Sequence, residues 1–142
     1  MIRRRFYSSY KSPVDNGVYA VKQDGRLIPL SKADYQCISV AIVHDDHKIM
    51  IEKNEDSNQS YKTATSGLPD SSCGQLSLIY MYLISVNNAL LAIGGQPLDT
   101  RYYWSSSEHS SNSGWIVLFN NGRTFTRYKR LTSSVRFVRD IE

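Results

Sequence analysis

Three stretches of this sequence hold residue types that can do chemistry. His44-Asp45-Asp46-His47 places two imidazoles and two carboxylates in four positions, the donor types that ligate a divalent metal. Four consecutive side chains in a tight turn cannot all point at one ion, so the tetrad reads as the polar turn of a hairpin. Ser105-Ser106-Ser107-Glu108-His109 sets hydroxyl, carboxylate and imidazole side by side, the groups of acyl transfer. A catalytic triad is an arrangement in space, and adjacency along the chain does not supply it. In the third stretch, Arg123, Arg127 and Arg130 are interleaved with Phe125 and Tyr128. That pattern is chemistry of recognition. It suits a protein partner, through aromatic anchors and charge complementarity, or a nucleic-acid strand, through stacking and phosphate contact. No nucleophile, base and orienter occur together, so the expectation is a non-enzymatic protein with no cofactor and no bound metal.

Composition frames these candidates. The chain has 142 residues, 41% of them hydrophobic and 21% charged, enough for one domain with a real core. The formal charge of +4 is partly local, because Arg3, Arg4 and Arg5 are consecutive. Residues 1–16 read as a basic N-terminal arm, and residues 17–142 as the domain. Ten tyrosines suit both strands and binding surfaces. Two cysteines exclude a disulfide scaffold; Cys37 lies in an apolar run and reads as core, and its pairing with Cys73 stays open. The basic start at Met1–Tyr10 lacks the apolar stretch of a signal peptide. The apolar run from Leu76 to Val86 is too short to span a bilayer. A soluble protein folding in a reducing cytoplasm is expected.

The elements that must position the candidates follow from pattern. Val18–Val21 and Leu27-Ile28 flank Asp24-Gly25, a hairpin signal. Cys37–Val43 and Lys48–Lys53 form a second hairpin around the His/Asp turn. Glu55–Gly67 is polar and reads as a loop. Leu68-Pro69 opens a helix entry where Asp70, Ser71 or Ser72 can cap. From Gln75 to Ile93, apolar residues recur three or four apart, and Gly94-Gly95 ends the run, which predicts one principal helix. Met81, Ile84 and Leu91 widen its apolar face, so it is expected to be buried on more than one side. The C-terminal part predicts a four-strand meander: Tyr102–Trp104, Trp115–Phe119, Arg123–Tyr128 and Val135–Val138, with Asn120-Asn121-Gly122 as a hairpin turn. The class is α+β.

Strand residues alternate sides. With Trp115, Val117 and Phe119 toward the core, Ile116 and Leu118 point out; across the turn, Thr124 points in while Arg123, Phe125 and Arg127 point out. Exposed Ile, Leu and Phe beside Arg resemble an interface centre. The alternative is a sheet buried on both faces, for instance by oligomerisation.

Tyr102-Tyr103-Trp104-Ser105-Ser106-Ser107-Glu108, Gly114-Trp115, Phe119-Asn120-Asn121-Gly122 and the close Val135-Arg136-Phe137-Val138-Arg139-Asp140 resemble the C-type-lectin-fold variable proteins of diversity-generating retroelements, found in gut bacteria and their phages. Gly17-Val18-Tyr19, Cys37–Ile51, Gly74-Gln75-Leu76 and the stretch from Asn87 to Gly95 are similar to the same group. The resemblance covers nearly the whole chain after the arm. It implies a C-type-lectin-like fold and a C-terminal surface diversified by miscopying of template adenines. By that comparison the diversifiable, ligand-binding positions are His109, Ser110, Ser113, Ile116, Leu118, Arg123, Phe125, Thr126, Arg127, Tyr128, Arg130, Leu131, Thr132 and Ser133. An asparagine codon ending in a pyrimidine, altered at its adenines, never encodes Lys, Glu, Gln, Met or Trp. None of those five types occurs at these positions, whereas Glu108, Trp115 and Lys129 lie between them.

The resemblance also implies a protein or cell-surface receptor as partner, a place on a phage tail tip or in the host cytoplasm, and a homo-oligomer, a trimer in phage-tip relatives. Structural virion or fimbrial subunit, and nucleic-acid module, are the alternatives. The calcium motifs of sugar-binding C-type lectins are absent, Gln96-Pro97-Leu98-Asp99 being a fragment, so neither calcium nor sugar follows from the fold. The paired catalytic cysteines of formylglycine-generating enzymes, which share the fold, have no counterpart in the C-terminal block.

Overall fold

Local turn chemistry starts the two N-terminal hairpins. In the computed structural model, Gly25 takes φ +88° and closes the turn between β1 (Gly17–Val21) and β2 (Leu27–Ile28). Asp24 caps that turn: its Oδ1 accepts the Arg26 amide at 3.1 Å and its Oδ2 the Arg26 Nε at 2.8 Å. Asp45-Asp46 turns β3 (Ser39–His44) into β4 (His47–Glu52), with Asp45 at φ +53°, a conformation Asp tolerates better than most residues. The structure describes residues 15–53, 57–61, 73–136 and 138–140. Arg3, Arg4 and Arg5 of the basic arm, and the helix entry at Leu68-Pro69 with caps Asp70, Ser71 and Ser72, lie outside the described residues.

The remaining elements are β5 (Ser57–Ser60), α1 (Cys73–Met81), α2 (Leu83–Ala92), β6 (Tyr102–Glu108), β7 (Ser113–Leu118), β8 (Thr124–Tyr128), β9 (Thr132–Val135) and β10 (Val138–Asp140). They build an α+β fold. One five-stranded sheet runs β10-β4-β3-β1-β2 and the other β5-β9-β6-β7-β8. The helices pack between them: α1 touches β6 and β7, and α2 touches β1 and β3. A single core joins both layers, with Val40, Ile42, Ile49 and Ile51 from the first sheet, Leu76, Ile79, Val86 and Leu90 from the helices, and Tyr103, Val117 and Phe119 from the second sheet.

Three expectations change. The predicted single helix is two helices, bent by 80° around Tyr82. Apolar residues encircle this segment, and a straight rod would cover only one sheet. The bend lets each half cover its own. His44 Nδ1 fixes the Tyr82 hydroxyl at the bend, 2.8 Å away. Met81, Ile84 and Leu91, expected to be buried, are 66%, 81% and 58% exposed.

The meander is the second change. β6, β7 and β8 form an antiparallel meander. The chain then crosses back, so that β9 runs parallel beside β6, and β10 leaves to join the other sheet against β4. Arg136 sits at that crossing, buried, its guanidinium donating to the Glu52 carbonyl at 3.1 Å and the Gln96 carbonyl at 2.8 Å. The third change is Ser57–Ser60, read as loop, which pairs with β9 as a strand. The polar alternation of this segment carried no apolar signal for pattern reading to find.

Gly94 takes φ +78° just past α2, the left-handed residue expected at a helix end. Lys53 Nζ adds a second stop, donating to the carbonyls of Cys37 (2.9 Å), Tyr35 (3.2 Å) and Ile93 (3.2 Å). Cys37 is buried and its thiol is free. No described helix is long and apolar enough to cross a membrane on its own.

Candidate ligand-binding face

The face is built by hairpin register. Ile116 lies opposite both Trp104 and Phe125, Leu118 opposite Tyr102, and Gly114 opposite Arg127. These residues share the side of the sheet turned away from the helices. Val117 and Phe119 occupy the helix side and are buried in the core, as alternation predicts. At the β7–β8 turn, Gly122 takes φ +76°, and the Asn121 side chain accepts the Arg123 amide at 2.9 Å. The Gly122 Cα also abuts Tyr80 of α1, since an added Cβ would lie 2.5 Å from that ring.

Alternation gives the side of the sheet and not what lies on it. Tyr61, just past β5, covers part of the outer side. Its ring meets Trp104 edge-on at 5.3 Å and lies so close over Gly114 that a Cβ there would be 2.4 Å away. Its amide donates to the Lys129 carbonyl and its hydroxyl to the Ser106 carbonyl, each at 3.1 Å. Tyr61, Trp104, Ile116 and Val135 thereby form a small second core. Two of the fourteen positions are corrected by this: Ile116 is 3% exposed and Ser133 is 5% exposed, so neither offers a side chain to a partner. Trp115, read as core, is half-buried instead, with His109 edge-on to it at 5.2 Å. Thr124, on the helix side by alternation, is exposed on the edge strand β8.

The other twelve positions reach the surface. His109, Ser110, Arg123, Phe125, Thr126, Tyr128, Arg130, Leu131 and Thr132 are exposed, and Ser113, Leu118 and Arg127 are half-buried. Ser113, Thr126, Arg127, Tyr128 and Leu131 come together around a shallow depression of about 400 Å³. All five are among the positions singled out from the sequence. A second depression, about 310 Å³, is lined by Arg101, Tyr102, Leu118, Thr132, Ser133 and Ser134. Arg101, Tyr102 and Ser134 were missed. Alternation from Trp104 back to Tyr102 would have found the tyrosine.

Arg127 links the two depressions. Its guanidinium lies 5.9 Å from the centre of the Tyr102 ring and donates to the Thr132 carbonyl at 3.0 and 3.3 Å. Arg130 sits 5.3 Å from the centre of the Tyr128 ring. Both aromatics are thus pre-positioned by cations.

Between these positions stand the residues that fix the face. Lys129 pairs with Glu108, lies 5.0 Å from the Tyr61 ring centre, and donates its amide to the Asn112 carbonyl at 2.8 Å. Ser105 Oγ donates to the Trp115 carbonyl at 2.8 Å across the strands. The 109–113 loop is held by the Ser110 hydroxyl, which accepts the Asn112 and Ser113 amides at 3.2 and 3.1 Å.

The other two chemical candidates do not converge. Glu108 is committed to Lys129 and His109 to Trp115, so the Ser/Glu/His run is dispersed. His44 turns one ring nitrogen to Tyr82 and keeps the other 3.7 Å from Asp45, while the His47 side chain is exposed. Among the described residues no three His, Cys, Asp or Glu side chains gather as a metal site. In comparisons with known proteins, no family model and no curated protein matches this chain.

Proposed function

We propose that this chain is a non-enzymatic ligand-display protein, and that the outer side of its C-terminal sheet, together with the exposed edge strand β8, grips a protein or cell-surface receptor. The reading includes the C-type-lectin-like variable architecture that the sequence resembles. One observation carries it: framework residues are interspersed among the surface-facing positions along the chain, and the framework residues hold one another. Gly114, between Ser113 and Ile116, lies under Tyr61. Lys129, between Tyr128 and Arg130, clamps Glu108. Apart from Ser110, whose hydroxyl holds the 109–113 loop, and Arg127, which bonds the Thr132 carbonyl, the surface positions can therefore change without touching the side-chain contacts that shape the face. A rigid platform bearing adaptable aromatic and Arg side chains is the physics of a recognition surface.

Deep sequencing of codons 102–142 across natural isolates tests the proposal. Substitutions clustered at the twelve surface positions, with Trp104, Gly114, Gly122 and Lys129 constant, are the expected result. Variation that is sparse, or spread evenly over framework and surface, would overturn it and favour a fixed structural subunit. Steeply salt-dependent binding to single-stranded nucleic acid would instead favour the nucleic-acid reading.

A further inference from the structure

The second helix carries two apolar stripes, and only one has a partner among the described residues. Val86, Ala89, Leu90 and Ile93 are buried in the core. On the opposite side, Ile84 is 81% and Leu91 58% exposed, with Asn88 exposed between them. Met81, 66% exposed, precedes the stripe at the bend. Beyond the helix C-terminus the line continues to Tyr35, 77% exposed, whose ring lies against Gly94. No Asp, Glu, Lys or Arg occurs from residue 73 to residue 98, in a chain where such residues make up 21%. A charge-free row of exposed Met, Ile and Leu is not an ordinary solvated helix face.

We propose that this stripe is a self-association surface, joining α2 to α2 of a second copy about a two-fold axis. The spacing Ile84, Asn88, Leu91 is four then three, the seam of helices packed side by side. In an antiparallel pair, Ile84 meets Leu91 of the second copy and Asn88 meets Asn88. The carboxamide both donates and accepts, so it is its own complement, and a polar residue at one seam position fixes register. An isologous contact demands such self-complementarity. Charge selects the occupant as well. A molecule of charge +4 approaches its own copy with least repulsion where it carries none. Lys53, at the helix C-terminus, is held by the carbonyls of Tyr35, Cys37 and Ile93, so a charged partner finds little here to pair with, and interfacial helices that lie on lipid draw on Lys and Arg that this helix itself lacks. Because α2 packs on the N-terminal sheet, the pairing leaves the outer side of the C-terminal sheet free. It does not depend on what that side binds.

The helix is ten residues long, so a weak, concentration-dependent dimer is expected. Sedimentation equilibrium of the full chain from roughly 10 µM to 1 mM should show the average mass climbing toward two chains. The double substitution Ile84→Lys, Leu91→Lys, at positions already in solvent, should weaken association at least about tenfold with an unchanged circular dichroism spectrum. In a Cys73→Ser background, Asn88→Cys should cross-link to itself on mild oxidation, well above a Gln23→Cys control on the distant β1–β2 turn. A single-chain mass throughout, association indifferent to the lysines, or equal cross-linking at residues 88 and 23 would each overturn the proposal. So would a monomer that binds neutral phosphatidylcholine vesicles through these residues. Dimerisation appearing only after removal of residues 1–14 would assign the stripe to that segment instead.

Discussion

The central strand of the first sheet and the edge strand of the second are similar in length and opposite in environment. In β3, Ser39 to Val43 are all buried; in β8, four of five residues are exposed and Arg127 is half-buried. β3 has α2 on one face, and on the other a cluster of Val21, Ala41 and Met50 flanked by Leu27. β8 has a neighbour on one edge only. Packing therefore constrains every side chain of β3 and almost none of β8. Side chains at such an edge can change at little cost to the fold.

The largest expected effect tests that contrast directly. Ile42→Ala, in the fully buried strand, should cost about 2–5 kcal/mol in denaturant unfolding. Thr126→Ala and Phe125→Ala, in the edge strand, should stay within about 0.5 to 1 kcal/mol. Comparable losses in the two strands would mean that β8 is covered, and the contrast would fail.

A sharper test lies inside the second sheet, where one side is divided between core and surface. Gly114→Ala places a methyl 2.4 Å from the Tyr61 ring, so the ring must lift. Trp104 then loses its edge contact and Ile116 meets water. The expected cost is about 1–3 kcal/mol, with red-shifted tryptophan emission. Normal stability and emission would show that Tyr61 is not what buries Ile116.

A smaller effect is expected at the clamp beneath the loops. Glu108 is 61% exposed and Lys129 21% exposed, so Lys129→Met should cost about 0.2–1 kcal/mol, less at high salt. A much larger loss would make Lys129 an organiser of the Tyr61 cap rather than a surface partner.

How much of this was legible beforehand follows from where the information resides. Turns announce themselves locally, so Asp24-Gly25, Asp45-Asp46, Asn121-Gly122 and the Gly94 helix end were readable. Alternation placed Val117 and Phe119 inside for the same reason. The Tyr61 cap was not readable, because Tyr61 and Trp104 are far apart in sequence and Ser57–Ser60 shows no apolar alternation. The break at Tyr82 was equally hidden: apolar periodicity runs straight through it, and the bend answers to two sheets that periodicity cannot see. Reading the segment as buried on more than one side followed from counting apolar residues without knowing which sheet each half would reach. At the candidate site, the positions were found by resemblance and alternation, and their accessibility depended on that unseen cap.

The smallest expected effect belongs to the first sheet and is electrostatic. The Arg26 backbone amide, and then its guanidinium, hold the Asp24 carboxyl below the ordinary carboxylate value of about 3.9. A depressed folded-state value stabilises above the unfolded value, and the contribution is lost as pH falls through the lower folded one. The hairpin turn should therefore loosen only in strong acid. An NMR titration of Asp24 should show a midpoint below that ordinary value. Arg26→Ala should raise the midpoint part of the way, since residue 26 keeps its amide. Complete recovery would mean that the guanidinium dominates. An unshifted midpoint in the wild-type chain would mean that Asp24 does not cap this turn, and that Gly25 at φ +88° shapes it alone.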